Sequence, residues 1–216
     1  MDIREILRHV DHTQLKAFAT WDDIVELCDE AILYQTASVC VPPAYVRRIH
    51  DTYGNELKIC TVIGFPLGYH TTEIKAAEAA QAVRDGAAEI DMVINIGDVK
   101  SRLYEKVEAE IRAVKEACGG RILKVIIETC YLTEEEKIAM CRAVTNAKAD
   151  YIKTSTGFGT GGASIEDIRL MKRHIGPDVK IKAAGGISTI EEMEAFLKEG
   201  CDRIGTSRAV SLLKKA

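Results

Sequence analysis

A chain of 216 residues that is 47% hydrophobic and 29% charged has the apolar content of a globular fold, which excludes intrinsic disorder. Its 29 Lys and Arg against 33 Asp and Glu give a net charge of −4, the opposite of what a protein that grips nucleic-acid phosphates needs. No apolar run reaches the roughly 18 residues of a membrane helix and the first ten residues lack a signal core, so a cytoplasmic protein is expected, with neither nucleic acid nor membrane as partner.

The elements repeat one unit: a short apolar run, a polar or glycine-bearing turn, then a helical pattern. The first run lies near 9–13 and precedes Thr20-Trp21-Asp22-Asp23, a hydroxyl followed three residues later by an acid, which marks a capping box at a helix start. Runs with strand length and β-branched content follow near 38–42, 58–64, 89–95 and 122–129. Thr133-Glu134-Glu135-Glu136 is a second capping box, its acids suited to the positive end of a helix. The sixth and seventh runs lie near 150–155 and 179–184, Ser188-Thr189-Ile190-Glu191 supplies a third box, and the last run spans 202–206. No linker or composition break divides residues 1–216, so one domain is expected. Strands alternating with helices pair in parallel through right-handed crossovers. Eight units in 216 residues fit a single (β/α)8 TIM barrel of the α/β class, an open doubly wound sheet being the alternative. In either architecture the chemistry sits beyond the carboxyl ends of the strands.

Lys153 and Lys182 meet that criterion. Each lies near the end of a run and is followed by small residues and glycine: Lys153-Thr154-Ser155-Thr156-Gly157 and Lys182-Ala183-Ala184-Gly185-Gly186. One such lysine reads as a snorkelling side chain; two in consecutive units, on strands ~4.8 Å apart, place two ammonium groups close together. A neighbouring cation and desolvation both penalise the charged form of a lysine, and a neutral amine can attack a carbonyl and form an iminium. Spacing does not say which of the two is the nucleophile. Lys124 and Lys180 lie nearer the amino ends, where stabilising roles are expected. Asp91, flanked by apolar residues in Glu89-Ile90-Asp91-Met92-Val93, is either a proton relay for the lysines or a buried ion pair. Gly157, Gly185-Gly186 and Gly205-Thr206-Ser207-Arg208 follow strands where barrels bind phosphate, although glycines also serve turns.

Other motifs carry less. Residues 157–162 fit G-x-G-x-x-G, but the next strand ends in Ala-Ala-Gly-Gly without the acid that a dinucleotide ribose requires. His9, Asp11 and His12 lack a further metal ligand at a known spacing. The seven cysteines are scattered, with no C-x-x-C pair; they read as buried thiols, Cys40 as one beside the cavity. No metal and no cofactor are expected.

Taken together, Asp11-His12-Thr13, Gly64-Phe65-Pro66-Leu67-Gly68, Glu89-Ile90-Asp91-Met92-Val93, Lys124-Val125-Ile126-Ile127-Glu128-Thr129 and the two lysine segments resemble the deoxyribose-phosphate aldolases, in order from about residue 9 to residue 213. The resemblance implies a metal-free class I aldolase that reversibly cleaves 2-deoxy-D-ribose 5-phosphate to acetaldehyde and D-glyceraldehyde 3-phosphate, an activity of nucleoside catabolism. It further implies Lys153 as the Schiff-base lysine, Lys182 as the cation that lowers its pKa, Asp91 as the proton relay and Asp11 as its support. Thr156, Gly157, Gly185, Gly186, Gly205 and Ser207 become the substrate and phosphate site. Two cations found in many relatives are replaced by Phe158 and by Ile187-Ser188, so Arg208 is expected to take over part of their charge. The chain ends at Leu212-Leu213-Lys214-Lys215-Ala216, and no tail reaching over the mouth is expected. Barrels of this size frequently form homodimers or larger homo-oligomers. The rival readings are an isomerase or decarboxylase that uses the lysines electrostatically, a nucleotide-dependent oxidoreductase and a non-catalytic sugar-phosphate sensor.

Overall fold

The computed structural model describes residues 1–214; Lys215 and Ala216 of the expected short end lie outside the described residues. Eight parallel strands close on themselves in chain order, so the closed barrel, and not the open sheet, is the solution this sequence adopts. The strands are β1 (Val10–Thr13), β2 (Ser38–Val41), β3 (Ile59–Ile63), β4 (Glu89–Val93), β5 (Ile122–Ile126), β6 (Tyr151–Lys153), β7 (Lys180–Ala184) and β8 (Arg203–Thr206). Around them run α1 (Ile3–Leu7), α2 (Trp21–Tyr34), α3 (Val46–Tyr53), α4 (Thr72–Arg84), α5 (Ile96–Lys100), α6 (Tyr104–Ala117), α7 (Glu134–Asn146), α8 (Ile165–His174), α9 (Ile190–Glu199) and α10 (Ala209–Leu213). β6 is shorter than its sequence segment because the chain turns away after Lys153 into the glycine-rich loop.

Helix starts follow their local chemistry. Thr20 with Asp23 caps α2, and Thr133 with Glu136 caps α7, each as a reciprocal capping box. The third box is displaced by one residue from the sequence expectation: Thr189 pairs with Glu192 at the start of α9. The Glu192 carboxylate also accepts from the Ser188 backbone at 2.7 Å, so this one acid satisfies the backbone donors of both Ser188 and Thr189.

The apolar core lies mainly between barrel and helices, in the buried side chains that alternate outward from the strands, such as Ile90, Met92, Leu123, Val125 and Ile152. The inward positions at the middle of the barrel are filled differently. Asp11, Asp91, Lys124 and Lys182 are 0% exposed, Glu89 2% and Lys153 3%. A barrel interior is normally packed with branched aliphatic side chains. Burying this many charges is tolerable only if they neutralise one another at short range.

Candidate active site

Strand register creates the cluster. Lys153 and Lys182 are direct partners on β6 and β7, so their side chains emerge side by side into the interior. Both reach the same oxygen: Lys153 Nζ lies 2.8 Å and Lys182 Nζ 2.7 Å from Asp91 Oδ2. Asp11 joins from β1, 2.5 Å from Lys182 Nζ through Oδ2, while its Oδ1 accepts from Ser38 Oγ at 2.6 Å and Arg203 at 2.5 Å. The four residues expected to carry the chemistry, Lys153, Lys182, Asp91 and Asp11, are thus brought into one contiguous network.

Lys124 departs from its expected place. It is opposite Asp91 in register, and Ile126, two residues further on, is opposite Lys153, so its backbone is indeed deeper. Its long side chain nevertheless reaches Asp91 Oδ1 at 2.8 Å, Glu89 at 2.6 Å and Cys60 Sγ at 3.2 Å. Lys180 is exposed, its ammonium 5.8 Å from the Tyr151 ring centre, outside the network. Ser38, Cys60, Glu89 and Arg203 are members that the sequence reading missed. Period-2 alternation around Asp91 is the one signal that points to Glu89; Arg203 becomes visible only once β8 is known to close against β1.

Charge states follow from these contacts. Burial alone raises the Asp91 carboxyl, but Lys124, Lys153 and Lys182 overcome it and hold Asp91 well below the usual carboxylate range. Burial likewise opposes ionisation of Asp11, and Lys182, Lys124 and Arg203 reverse the effect. Burial pulls the Lys182 ammonium down, whereas Asp11 and Asp91 push it above the ordinary lysine value; Lys124 is raised in the same way, first by Asp91. Lys182 and Lys124 are fixed cations on either side of the carboxylate that Lys153 also uses.

Above the network a cavity of about 390 Å³ opens at the carboxyl ends of the strands, and Lys153 lines it while Lys124 and Lys182 do not. Thr156, Gly157, Gly185, Gly186, Gly205, Ser207 and Arg208 all border it, joined by Thr13, Lys16 and Phe158. Lys16 is a second cation at the rim that no motif flagged. Gly205 has a further reason to be glycine: a Cβ there would lie 3.0 Å from Lys182 Cε. Gly185 adopts a left-handed φ of 85°, and a Cβ would press within 3.2 Å of Gly162 Cα and Ser155 Cβ; the loops after β6 and β7 therefore meet backbone to backbone. Thr156 is held from below. Buried Glu128 accepts from the Thr156 hydroxyl and, at 3.1 Å, from its backbone N–H, and Thr156 Oγ1 accepts from the Phe158 N–H at 3.0 Å.

The remaining motifs resolve locally. His9 bonds the Asp202 carbonyl at 3.0 Å and His12 the Glu30 carboxylate at 2.7 Å, each away from Asp11. Two clusters, Cys40–Cys60–Asp91 and Asp11–Cys60–Glu89, bring metal-type ligand atoms within 4.8 Å of one another. Lys124 Nζ already lies against Cys60, Asp91 and Glu89, so an ammonium occupies the position a metal ion would take. Cys40 is 1% exposed and does not line the cavity. Cys130 is half-buried, unlike the other six thiols.

Comparison with known proteins places this geometry. The deoxyribose-phosphate aldolase of Clostridium botulinum (strain Alaska E43 / Type E3) is 70% identical over 214 residues, 99% of this chain and 97% of that protein. That of Clostridioides difficile (strain 630) is 55% identical over 98% of this chain and 97% of its own. The solved tetrameric deoxyribose phosphate aldolase of Aeropyrum pernix superposes with a TM-score of 0.91 at 31% identity, covering 99% of this chain and 92% of that one. Residues 5–214 match the family model for DeoC/LacD family aldolases, and the chain belongs to that family of lyases.

Proposed function

We propose that this enzyme is a class I aldolase that reversibly cleaves 2-deoxy-D-ribose 5-phosphate to acetaldehyde and D-glyceraldehyde 3-phosphate through a Schiff base on Lys153. The activity borne by the curated relatives supports the substrate. The observation that carries the mechanism is that Lys153 alone of the three interior lysines lines the cavity, while the other two are pinned as cations by carboxylates.

In the cleavage direction the Lys153 amine attacks C1 of the open-chain aldehyde. The carbinolamine loses water, with a proton delivered through Asp91, and the iminium forms. Removal of the C3 hydroxyl proton then breaks the C2–C3 bond. Its electron pair moves into the iminium, so glyceraldehyde 3-phosphate leaves and the two-carbon enamine remains. Protonation at C2 and attack by water release acetaldehyde and free amine. The iminium is itself the electron sink, so the sequence of steps calls for no cofactor. Asp91 Oδ2, bonded to both Lys153 and Lys182, is placed to pass protons between them, and Asp11 keeps Lys182 in position.

The phosphate end fits the far side of the cavity, where Thr156, Gly157, Gly185, Gly186, Gly205 and Ser207 offer backbone and hydroxyl donors and Arg208 a charge. We place the enzyme in the cytoplasm, in nucleoside catabolism, as a homo-oligomer; among the described residues no helix is long and apolar enough to cross a membrane. The test is borohydride reduction in the presence of substrate, followed by peptide mapping. A reduced two-carbon or sugar adduct on the Lys153 peptide is expected. Turnover without a trapped adduct would overturn the Schiff base and favour purely electrostatic use of the lysines.

A further inference from the structure

The buried network is a closed ring. From Asp91 it runs to Lys182 (2.7 Å), Asp11 (2.5 Å), Arg203 (2.5 Å), Glu89 (3.0 Å), Lys124 (2.6 Å) and back to Asp91 (2.8 Å). Charges alternate around it, three carboxylates against three cations, so the ring balances without Lys153, which attaches to it at Asp91. The half of the ring formed by Glu89 and Arg203 lies away from the cavity; neither residue lines it. Arg203 spans the two sides with its fork, donating to Asp11 from one nitrogen and to both oxygens of Glu89, at 3.0 and 3.3 Å.

We propose that Glu89 and Arg203 are positioning residues for the aldol chemistry: by closing the ring behind Asp11 and Lys124 they fix the charge balance around Asp91 and thereby set the pH at which Lys153 becomes reactive. The inference rests on Lys153 being the Schiff-base lysine. Without Arg203, Asp11 keeps Lys182, Ser38 and, at 3.7 Å, Lys124 as partners, and the interior gains one net negative charge. Without the Glu89 charge, Lys124 keeps Asp91 as its one carboxylate at hydrogen-bond distance, beside Cys60, and the interior gains one net positive charge. The other titratable groups facing this half of the ring are Cys60 from β3, held well above its usual value, and Tyr151 from β6, whose ring centre is 5.7 Å from the Arg203 guanidinium; Lys180 reaches the same ring from β7 at 5.8 Å.

Opposite charge changes displace an amine's titration in opposite directions. The experiment is the pH profile of kcat/KM for the retro-aldol reaction in the wild type, Arg203→Met, Glu89→Gln and the double variant, with borohydride trapping on Lys153 in each. The ascending limb moves up by about 0.5–1 pH unit in R203M and down by a similar amount in E89Q, the scale of one unit charge acting through a medium of intermediate dielectric. In the double variant it returns close to the wild-type position. Arg203→Lys, which keeps the charge and loses the fork, keeps the wild-type limb with a lower kcat. Where one single variant fails to fold, the other decides alone, since its limb must still move in the direction given. Limbs that stay fixed in the single variants, or shift the same way in both, would overturn the proposal. Absence of a trapped adduct in the wild type would instead overturn the Schiff-base reading on which it rests.

Discussion

At Asp91 one carboxylate serves three lysines, and the division of labour among them follows from their second partners. Lys182 also holds Asp11 and Lys124 also holds Glu89, whereas Lys153 has the cavity on its other side. Replacing Lys153 by Met therefore removes the reacting amine and leaves the remaining network paired. We expect kcat to fall by at least about 10³-fold, with no borohydride adduct and a Tm within a few degrees of wild type; substantial residual turnover would move the nucleophile elsewhere. Arg208 poses a separate question, because it is one of two cations besides Lys153 that line the cavity. Arg208→Met should raise KM for the phosphorylated sugar about tenfold, the scale of one charge-assisted hydrogen bond, and leave KM for unphosphorylated 2-deoxyribose unchanged. Equal KM values for the phosphorylated sugar would assign the charge to Lys16, the other cation on the rim.

Between elements, the contact that fixes the β3 and β4 ends is a second buried ion pair. Lys75 of α4 passes beneath Gly64 and donates to the Val93 carbonyl at the end of β4 and to Glu110 of α6, both at 2.9 Å. Burial draws the Lys75 ammonium down and the Glu110 carboxyl up, so each is costly to keep and more costly to strand. Breaking such a pair by removing one partner costs about 3–5 kcal/mol, whereas replacing both with apolar groups is often neutral. Lys75→Met should accordingly lower the unfolding free energy by that amount, and Lys75→Met with Glu110→Leu should recover most of it in urea denaturation. A double variant no more stable than the single one would show that the Val93 contact, and not the pair, holds α4 to the barrel.

Across the whole barrel, what could be read from the sequence and what could not divide along one physical line. Lys153 and Lys182 were visible because each sits at a strand end before glycines, a local pattern. Glu89, Arg203 and the reach of Lys124 were not, because ring closure depends on the register of all eight strands and on β8 returning to β1, which no local window encodes. The same closed network gives the molecule its pH limits. Asp11 and Asp91 are held below their ordinary values, so their contribution to stability is complete above the unfolded carboxylate pKa of ~3.9 and is lost as pH falls below it. Lys124 and Lys182 are held above theirs, so their contribution is complete below the unfolded lysine pKa of ~10.4 and is lost as pH rises beyond it. Stability should therefore hold across the neutral range and fall at both ends from a single cluster. Asp11→Asn removes one of the depressed carboxyls, and the acid limb of unfolding free energy between about pH 4 and 2 should become shallower by up to ~1.4 kcal/mol per pH unit, one proton's worth of linkage. Urea unfolding of wild type and variant across that range checks it. An unchanged slope would mean that the acid lability of the barrel originates in its surface carboxylates and that the ring is protonated only after the fold has opened.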